Sequence, residues 1–493
     1  MMNRREFLEG LFSVGAMLVP IRLMADKIPL TEVLIVGSGP AGISLADRLT
    51  ALGISVLVIE TGSNHETRQN MALSTVLDGG GGLPYDLSRA GVRVVGGGSN
   101  VWGGICPRLQ PSDFSTRSKY GYGRDWPIAY DDMARFYCQA ENWLKVTGGK
   151  RRCLNAPPSP HDVAAVSLLK KLDEIGINNS SAARISSASN GTNSPVRLRT
   201  QRIPHIVKRA SFGLLTGLTA RKIVVNDVGK ASGVIVSSLS GEEYRIKGQV
   251  IVLAAGAIQN SRLLMLSDSV QHKGGLGNGG GHLGRWFMEH QNIHYWLKPN
   301  KSYITANFAA AQTQIMQWYD KSKEEGVGSV LCWASEFKYA PARSAGFALP
   351  DKFFMLEALC EQEPSYENAL SLSHEHTDQF GDPLPVLNYR RTHRDEATMH
   401  IAEKLLDSIA EDFSTTIAKQ PINYGSHHLM GTTRMGGAEK DGVVDLNLKV
   451  HGIRNLYVAG SSVFVTGGAA NPTLSITALS LRLAEYLYSI RNR

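Results

Sequence analysis

The outline of the chain is set by its apolar runs. Thr31–Val36 is a short apolar run that passes directly into Gly37-Ser38-Gly39-Pro40-Ala41-Gly42. Ile43–Leu52 then carries Ile43, Ala46, Leu49 and Thr50 at helical spacing, and Ser55–Ile59 is a second apolar run closed by Glu60. This order predicts strand, glycine turn, helix and strand, a βαβ unit. Within Asp125–Leu144, Tyr130-Asp131 opens a helix whose apolar positions are Met133, Phe136, Tyr137, Ala140 and Leu144. Residues 178–195 read as a Ser/Asn-rich loop, and Val224 with Val234–Val236 predicts paired short strands. Gln249–Leu253 reads as a buried strand that leads through Ala254-Ala255-Gly256 into a helix over Gln259–Leu266. From Ser302 to Tyr424 the runs are short and partly alternating (Ser329–Phe337, Phe353–Glu361, Ala369–Ser373), as in an antiparallel sheet with one covered face. Asn455–Ala459 is again a buried strand, and Asn471 opens an amphipathic helix that runs to about Ile490.

These elements predict an α/β chain, α+β overall. A Rossmann-like nucleotide-binding domain spans 26–300 and 425–493, interleaved with an antiparallel-sheet substrate domain at 301–424. Residues 1–25 read as an address rather than as fold. Asn3-Arg4-Arg5-Glu6-Phe7-Leu8 resembles the twin-arginine export motif, and Gly10–Ile21 is apolar but too short to span a membrane. Arg22 interrupts the stretch, and Leu23-Met24-Ala25 matches a small-residue cleavage site poorly. The expectation is bacterial export to the periplasm by the route that carries folded proteins; an uncleaved amphipathic helix is the plainer alternative.

Composition narrows the function. At 493 residues and 43% hydrophobic, the chain can bury a core large enough for two domains. Its 50 glycines cluster at Gly96–Gly98, Gly103-Gly104 and Gly274–Gly281, as suits backbone held close to a large ligand, while Gly79–Gly82 reads as surface loop. The net charge of +8 is spread along the chain without a basic block, so nothing points to nucleic acid. The five cysteines are widely spaced with no C-x-x-C, so no zinc site, haem attachment or iron–sulfur cluster is written here. Mostly reduced, structural thiols and no metal are expected.

The glycine turn carries the first chemistry. Gly37, Gly39, Pro40, Ala41 and Gly42 let a helix N-terminus approach a pyrophosphate, which its free N–H groups and dipole favour. Glu60 stands about twenty positions on, where a dinucleotide's adenosine ribose is bound. The G-x-G-x-x-G pattern is weak alone and specific in this strand–turn–helix setting. Val92–Gly104 concentrates Gly97, Ser99, Asn100, Val101, Trp102, Gly103 and Gly104 in a segment unlike ordinary core. Near the end, His427-His428-Leu429-Met430-Gly431-Thr432 sets a histidine beside a tight glycine turn. Imidazole, with an ordinary pKa of about 6.5, suits general-base work near neutral pH. Asn471 would cap the last helix, with Pro472 in its first turn, where a missing N–H costs nothing.

In family order, the chain carries VLIVGSGPAGISLADRL, IVLAAGAIQNSRLL, GRWFMEH, HLMGTTRMGG, VVDLNLKVHGIRNLYVAGSSVF and NPTLSITALSLRLAEYL. With these it resembles the glucose–methanol–choline (GMC) flavoprotein oxidoreductases over nearly all of its length beyond the leader. Trp126-Pro127-Ile128 with Phe136-Tyr137, Val458–Ser462 and Asn471-Pro472-Thr473 place it near pyranose oxidases and bacterial sugar or polyol dehydrogenases. The resemblance implies that the nucleotide domain binds FAD and that a CH–OH group of a sugar-like or polyol substrate is oxidised to a carbonyl. Hydride would go to flavin N5 while His428, three before Gly431, takes the hydroxyl proton. Asn471 falls on the family's second catalytic position. Ala255, Gly256, Gly460, Ser461, Pro472 and Thr473 join the implied FAD contacts, the last helix directing its positive end to the flavin.

Two departures matter. Where pyranose oxidases link a histidine to flavin, this chain has Val101, which carries no nucleophilic atom, so FAD is expected to be non-covalent. No cysteine lies between Cys153 and Cys332, where some bacterial relatives carry a cysteine cluster. Electrons would then pass to oxygen, a quinone or a redox protein, and a small partner subunit is a further candidate. Two other functions stay open: oxidation of a hydrophobic or aromatic alcohol in a biosynthetic pathway, and electron relay as the flavin subunit of an exported complex. Intact His428 and Asn471 speak against a pure relay.

Overall fold

The computed structural model describes residues 30–148, 153, 160–187, 195–303, 310–337, 353–413, 417–419 and 425–491. The expected leader at 1–25 lies outside the described residues, as does most of Asn190–Pro195. In chain order the elements that place the site are β1 (Thr31–Val36), α1 (Pro40–Ala51), β2 (Val56–Glu60), α2 (Tyr130–Leu144), β3 (Ser180–Ala182), β4 (Phe212–Thr216) and β5 (Gly248–Leu253). They continue with α3 (Ala257–Leu266), β6 (Gln291–Leu297), β7 (Ala310–Ile315), β8 (Val330–Phe337), β9 (Phe353–Cys360), α4 (His393–Phe413), β10 (Ile417–Lys419), β11 (Leu456–Val458) and α5 (Thr473–Ile490).

A parallel sheet has the strand order β11-β5-β1-β2-β4. Its strands are covered on both faces, so they read as continuous apolar runs: every residue of β2 is buried. β1 leads through the glycine turn into α1, and the Gly37 N–H donates to Ile59 O at 2.8 Å, tying the turn to the end of β2.

The second sheet is antiparallel, in the order β10-β6-β9-β8-β7-β3. It does not start at residue 301. β6 and β3 belong to it although both lie in the stretch assigned from sequence to the nucleotide domain, because strand pairing follows proximity in space and not order along the chain. Alternation sorts its two faces. Val330, Cys332 and Ala334 pack with Ala358, Cys360 and the α4 residues Met399, Leu406 and Phe413. Leu331, Trp333 and Leu359 point the other way, onto Tyr319 and Ala469. The face away from α4 therefore covers the loop that carries Asn471.

α5 packs against α1 and α2. The expectation of an amphipathic helix is corrected here. Leu474, Ala478, Leu481 and Ala484 are buried, and so are Ser475, Thr477 and Ser480. Two of the buried hydroxyls are satisfied locally, Thr477 Oγ1 donating to Thr473 O at 2.9 Å and Ser480 Oγ to Ile476 O at 2.8 Å, while Ser475 Oγ pairs with Tyr137 OH of α2 at 2.8 Å. Hydroxyl residues that look like a polar face in sequence thus line contacts between helices.

Cys138 and Cys153 form a disulfide, while Cys106, Cys332 and Cys360 are free and buried. The reduced state expected of most thiols holds for those three. The pair could not be read from spacing, because only the return of the chain beside α2 brings it together. No helix among the described residues is long and apolar enough to cross a membrane.

Candidate active site

Two segments remote in sequence meet at the site. Met288 and Met430 form an antiparallel bridge, with N–H to O distances of 3.1 and 3.0 Å. The bridge sets Glu289-His290 beside His428-Leu429. Gly431 makes the approach possible: its φ is +90°, and a Cβ there would lie 2.0 Å from Trp286 O. The segment is then stitched to 461–463 by Gly431 N–H to Ser461 O at 3.1 Å and Thr433 N–H to Ser462 O at 2.8 Å.

At the centre is a row of side chains. Asn471 Nδ2 lies 3.2 Å from His428 Nε2, His428 Nδ1 lies 2.9 Å from His290 Nδ1, and His290 Nε2 lies 2.8 Å from Gly468 O. The backbone N–H of His428 donates to both Glu289 oxygens, at 2.9 and 3.1 Å, and Tyr85 OH donates to Glu289 Oε2. Gln362 Oε1 accepts from the Glu289 N–H at 2.7 Å. His428 is half-buried and His290 fully buried. His427, by contrast, is exposed, takes left-handed backbone (φ 59°) and meets Tyr85 edge-on at 4.8 Å.

Burial dominates the electrostatics. It pushes His290 down to about 4 and, with His290 and His427 beside it, holds His428 well below the usual imidazole value. Both imidazoles are therefore neutral at ordinary pH. Burial raises Glu289 to about 7, against the opposing hydrogen bonds from Tyr85 and the backbone of His428, His290 and His427.

The loop before α5 is held from behind by buried charge. Tyr319 OH accepts from the Ala469 N–H at 3.1 Å and donates to Asp113 Oδ2 at 2.8 Å. Lys323, wholly buried, pairs with Asp113 Oδ1 and lies 3.9 Å from Glu361. Thr466 Oγ1 donates to Asp113 O at 2.7 Å and accepts from Trp126 Nε1 at 2.8 Å.

One sequence expectation about Asn471 fails. The residue before α5 is Pro472, with no side-chain cap, and Pro472 O accepts the first helical bond from Ile476 N–H at 2.9 Å. Asn471 turns its Nδ2 to His428 instead, and its Oδ1 is buried without a partner among the described residues.

A cleft runs from the glycine turn towards the C-terminal loop. Of the contacts named from sequence, Gly37, Gly39, Pro40, Ala41, Glu60, Gly97, Ala255, Gly256, Gly460 and Ser461 line it. Side chains are excluded from its floor: at Gly37 (φ +106°) a Cβ would lie 2.5 Å from Ala254 O. A nucleotide with a long pyrophosphate-linked chain fits this cradle. Glu60 is buried and already holds the loop, Oε2 accepting from Ser38 N–H at 3.0 Å and Ser38 Oγ at 2.7 Å, Oε1 from Gly62 N–H at 2.8 Å.

Other predicted contacts lie off the lining. Gly42 sits in the buried first turn of α1. Ser99 Oγ donates to Gly96 O at 2.7 Å and Asn100 Nδ2 to Val95 O at 2.9 Å, so these two shape their own segment, while Trp102 Nε1 donates to Val196 O at 3.0 Å and ties the segment to that stretch of chain. Val101 is 68% exposed, and Gly103, Gly104, Pro472 and Thr473 are also outside the lining. The surrounding segment does reach the cleft through Gly97 and Gly98, and α5 through Ile476.

Sequence reasoning missed Glu289, His290, Tyr85 and the Lys323 cluster. The only available signal for the first two was the end of the phrase GRWFMEH.

Comparison with known proteins gives a consistent result. Models described as GMC oxidoreductase match residues 86–292 and 364–480, together more than half of the chain, and a model described as an FAD binding domain matches residues 30–72. The 2-methyl-1,2-propanediol dehydrogenase of Mycolicibacterium austroafricanum is 24% identical, covering 94% of this chain and 96% of its own. The fructose dehydrogenase large subunit of Gluconobacter japonicus is 22% identical over 94% of this chain and 98% of its own. The paromamine 6'-oxidase of Streptomyces fradiae is 25% identical over 92% and 90%. Among solved structures, pyridoxine 4-oxidase from Mesorbium loti superposes with a TM-score of 0.64 at 18% identity, over 93% of this chain and 99% of that one, a likeness of fold.

Proposed function

The chain belongs to the GMC oxidoreductase family, and from that membership we propose that it oxidises a CH–OH group of a sugar-like or polyol substrate to a carbonyl, with His428 as base. It is an FAD-dependent alcohol or sugar oxidoreductase of that family. The relatives named for a diol, fructose and an aminoglycoside sugar support the substrate class.

The observation that carries the reading is His428 Nε2 facing Asn471 Nδ2 at 3.2 Å on a neutral imidazole. An alcohol oxygen that bridges the two donates its proton towards Nε2 and accepts from the amide, which orients the carbinol carbon. The FAD isoalloxazine supplies the hydride acceptor when bound. Residues Gly37–Ala41 would hold the pyrophosphate, with Ala255-Gly256 and Gly460-Ser461 flanking it. Glu289 clamps the His428 backbone, and Tyr319 with Lys323 and Asp113 holds the Asn471 loop.

The test is anaerobic bleaching of the bound flavin against sugars, polyols and aliphatic and aromatic alcohols. Reduction by sugars or polyols is expected. Reduction only by hydrophobic or aromatic alcohols would replace the substrate class, and failure with every alcohol would overturn the reading.

A further inference from the structure

Hydrogen-bond direction along the row Asn471–His428–His290–Gly468 has only one consistent assignment when both rings are neutral. Gly468 O is a carbonyl oxygen and can only accept, so His290 Nε2, 2.8 Å away, carries the proton of that ring. A neutral His290 then has a bare Nδ1, which must accept. Its neighbour at 2.9 Å, His428 Nδ1, is therefore the donor and holds the single proton of His428. That leaves His428 Nε2 bare, so Asn471 must present its amide nitrogen to it at 3.2 Å. Asn471 Oδ1 then faces away, and it is buried and unpartnered among the described residues.

We propose that His290 is a positioning residue which fixes the tautomer of His428, holding its proton on Nδ1 and so baring Nε2 for the substrate hydroxyl. The inference rests on the reading of His428 as the base. The direction is imposed from a backbone carbonyl. Gly468 O cannot reverse its role, and the loop that carries it is anchored through Ala469 N–H to Tyr319 OH, and through Tyr319 to Asp113. A carboxylate in the place of His290 would orient the base by charge. A neutral imidazole orients it by donor and acceptor order alone. After the transfer, His428 carries protons on both nitrogens, and Nδ1–H still points at the His290 lone pair. The charge is then stabilised without a second proton moving.

Glu289 holds the His428 backbone and not its ring, so it cannot substitute in this role. His427 is one residue away but exposed, against Tyr85. Glu361 acts on His290 through space, and its Oε2 is occupied by Tyr122 OH at 2.9 Å and by Ser329.

The experiment uses FAD-loaded enzyme with 15N-labelled histidine, the His428 signals identified by their loss in His428→Gln. Wild type is expected to show His428 as the Nδ1–H tautomer with a bare Nε2. His290→Leu removes the acceptor and is expected to lose that tautomer and to slow flavin reduction by about 10–100-fold, the usual scale for removing a group that orients a catalytic ligand. His290→Asn keeps an oxygen on the carbon that bore Nδ1 and is expected to recover most of that rate together with the tautomer. An Nε2–H tautomer in wild type overturns the proposal, as does equal loss in the Leu and Asn variants. If no alcohol bleaches the wild-type flavin, the functional reading fails, yet the labelled spectrum still decides the tautomer.

Discussion

His427 and His428 are neighbours in sequence with different surroundings. The left-handed backbone at His427 turns its ring out against Tyr85, while His428 turns inward to Asn471 and His290. His428→Ala is expected to slow flavin reduction by on the order of 10²–10⁴, the scale of losing a general base, and His427→Ala far less. Stopped-flow reduction with a good substrate measures both, and a slower His427 variant would show that the register is wrong. The two lowered imidazoles also predict an acid limb of stability. Because His290 and His428 titrate lower in the folded protein than in the unfolded chain, the unfolded state binds more protons as acid is added. Their contribution is complete above about pH 6.5 and is lost as pH falls towards the folded value of His290, about 4. Glu289, raised to about 7, has the opposite sign, its share being lost as pH rises through that value. Glu361 and His427 also lie nearby and are common to wild type and variant. The thermal midpoint of His290→Asn should therefore fall less steeply than wild type between pH 6.5 and 4; parallel curves would refute the assignment.

At the scale of the element, α5 shows how a helix start serves a site without being capped by it. The sequence Asn-Pro-Thr has the signature of an N-cap followed by proline, and that signature predicts that removing Asn471 costs stability. The structure spends the amide on His428 instead. Asn471→Ala should then slow flavin reduction by roughly 10²-fold, as loss of a donor to a reacting oxygen does, with the thermal midpoint unchanged. A clear drop in the midpoint would return Asn471 to the cap. The same helix is buried between α1 and α2, which is why Thr477 and Ser480 bond back to their own turns and Ser475 pairs with Tyr137 of α2.

At the scale of the whole molecule, the site lies where the parallel and antiparallel sheets converge on the same loops. The antiparallel sheet covers the Asn471 loop with Trp333 and Leu359, and the Lys323–Asp113 pair locks that loop from behind. The cofactor cleft is formed by the ends of β1, β2 and β5 with the start of α1. With valine at 101, and that residue 68% exposed, acid precipitation is expected to release free FAD and leave a colourless pellet. Glu60→Ala should weaken FAD retention, because its carboxylate also holds Ser38 and Gly62 in place. Charge-assisted bonds of this kind contribute about 1.5–3 kcal/mol each. A yellow pellet with flavin mass on a peptide would refute non-covalent binding, and released FMN would refute the ribose role of Glu60.

The amino-acid sequence alone made legible the βαβ unit, the glycine turn and the acid at Glu60, and named His428 and Asn471 as candidates for the site. Each is a local pattern: strand, turn and helix are written in neighbouring residues, and the two site phrases carry their own glycine and proline geometry. Only the tertiary structure decided that β6 and β3 join the antiparallel sheet, that Cys138 meets Cys153, and that Asn471 faces His428 rather than its own helix. His290 shows the difference most clearly. Its role depends on a carbonyl at Gly468 and a ring at His428, both far along the chain, and hydrogen-bond direction exists only once donor and acceptor have been brought within reach.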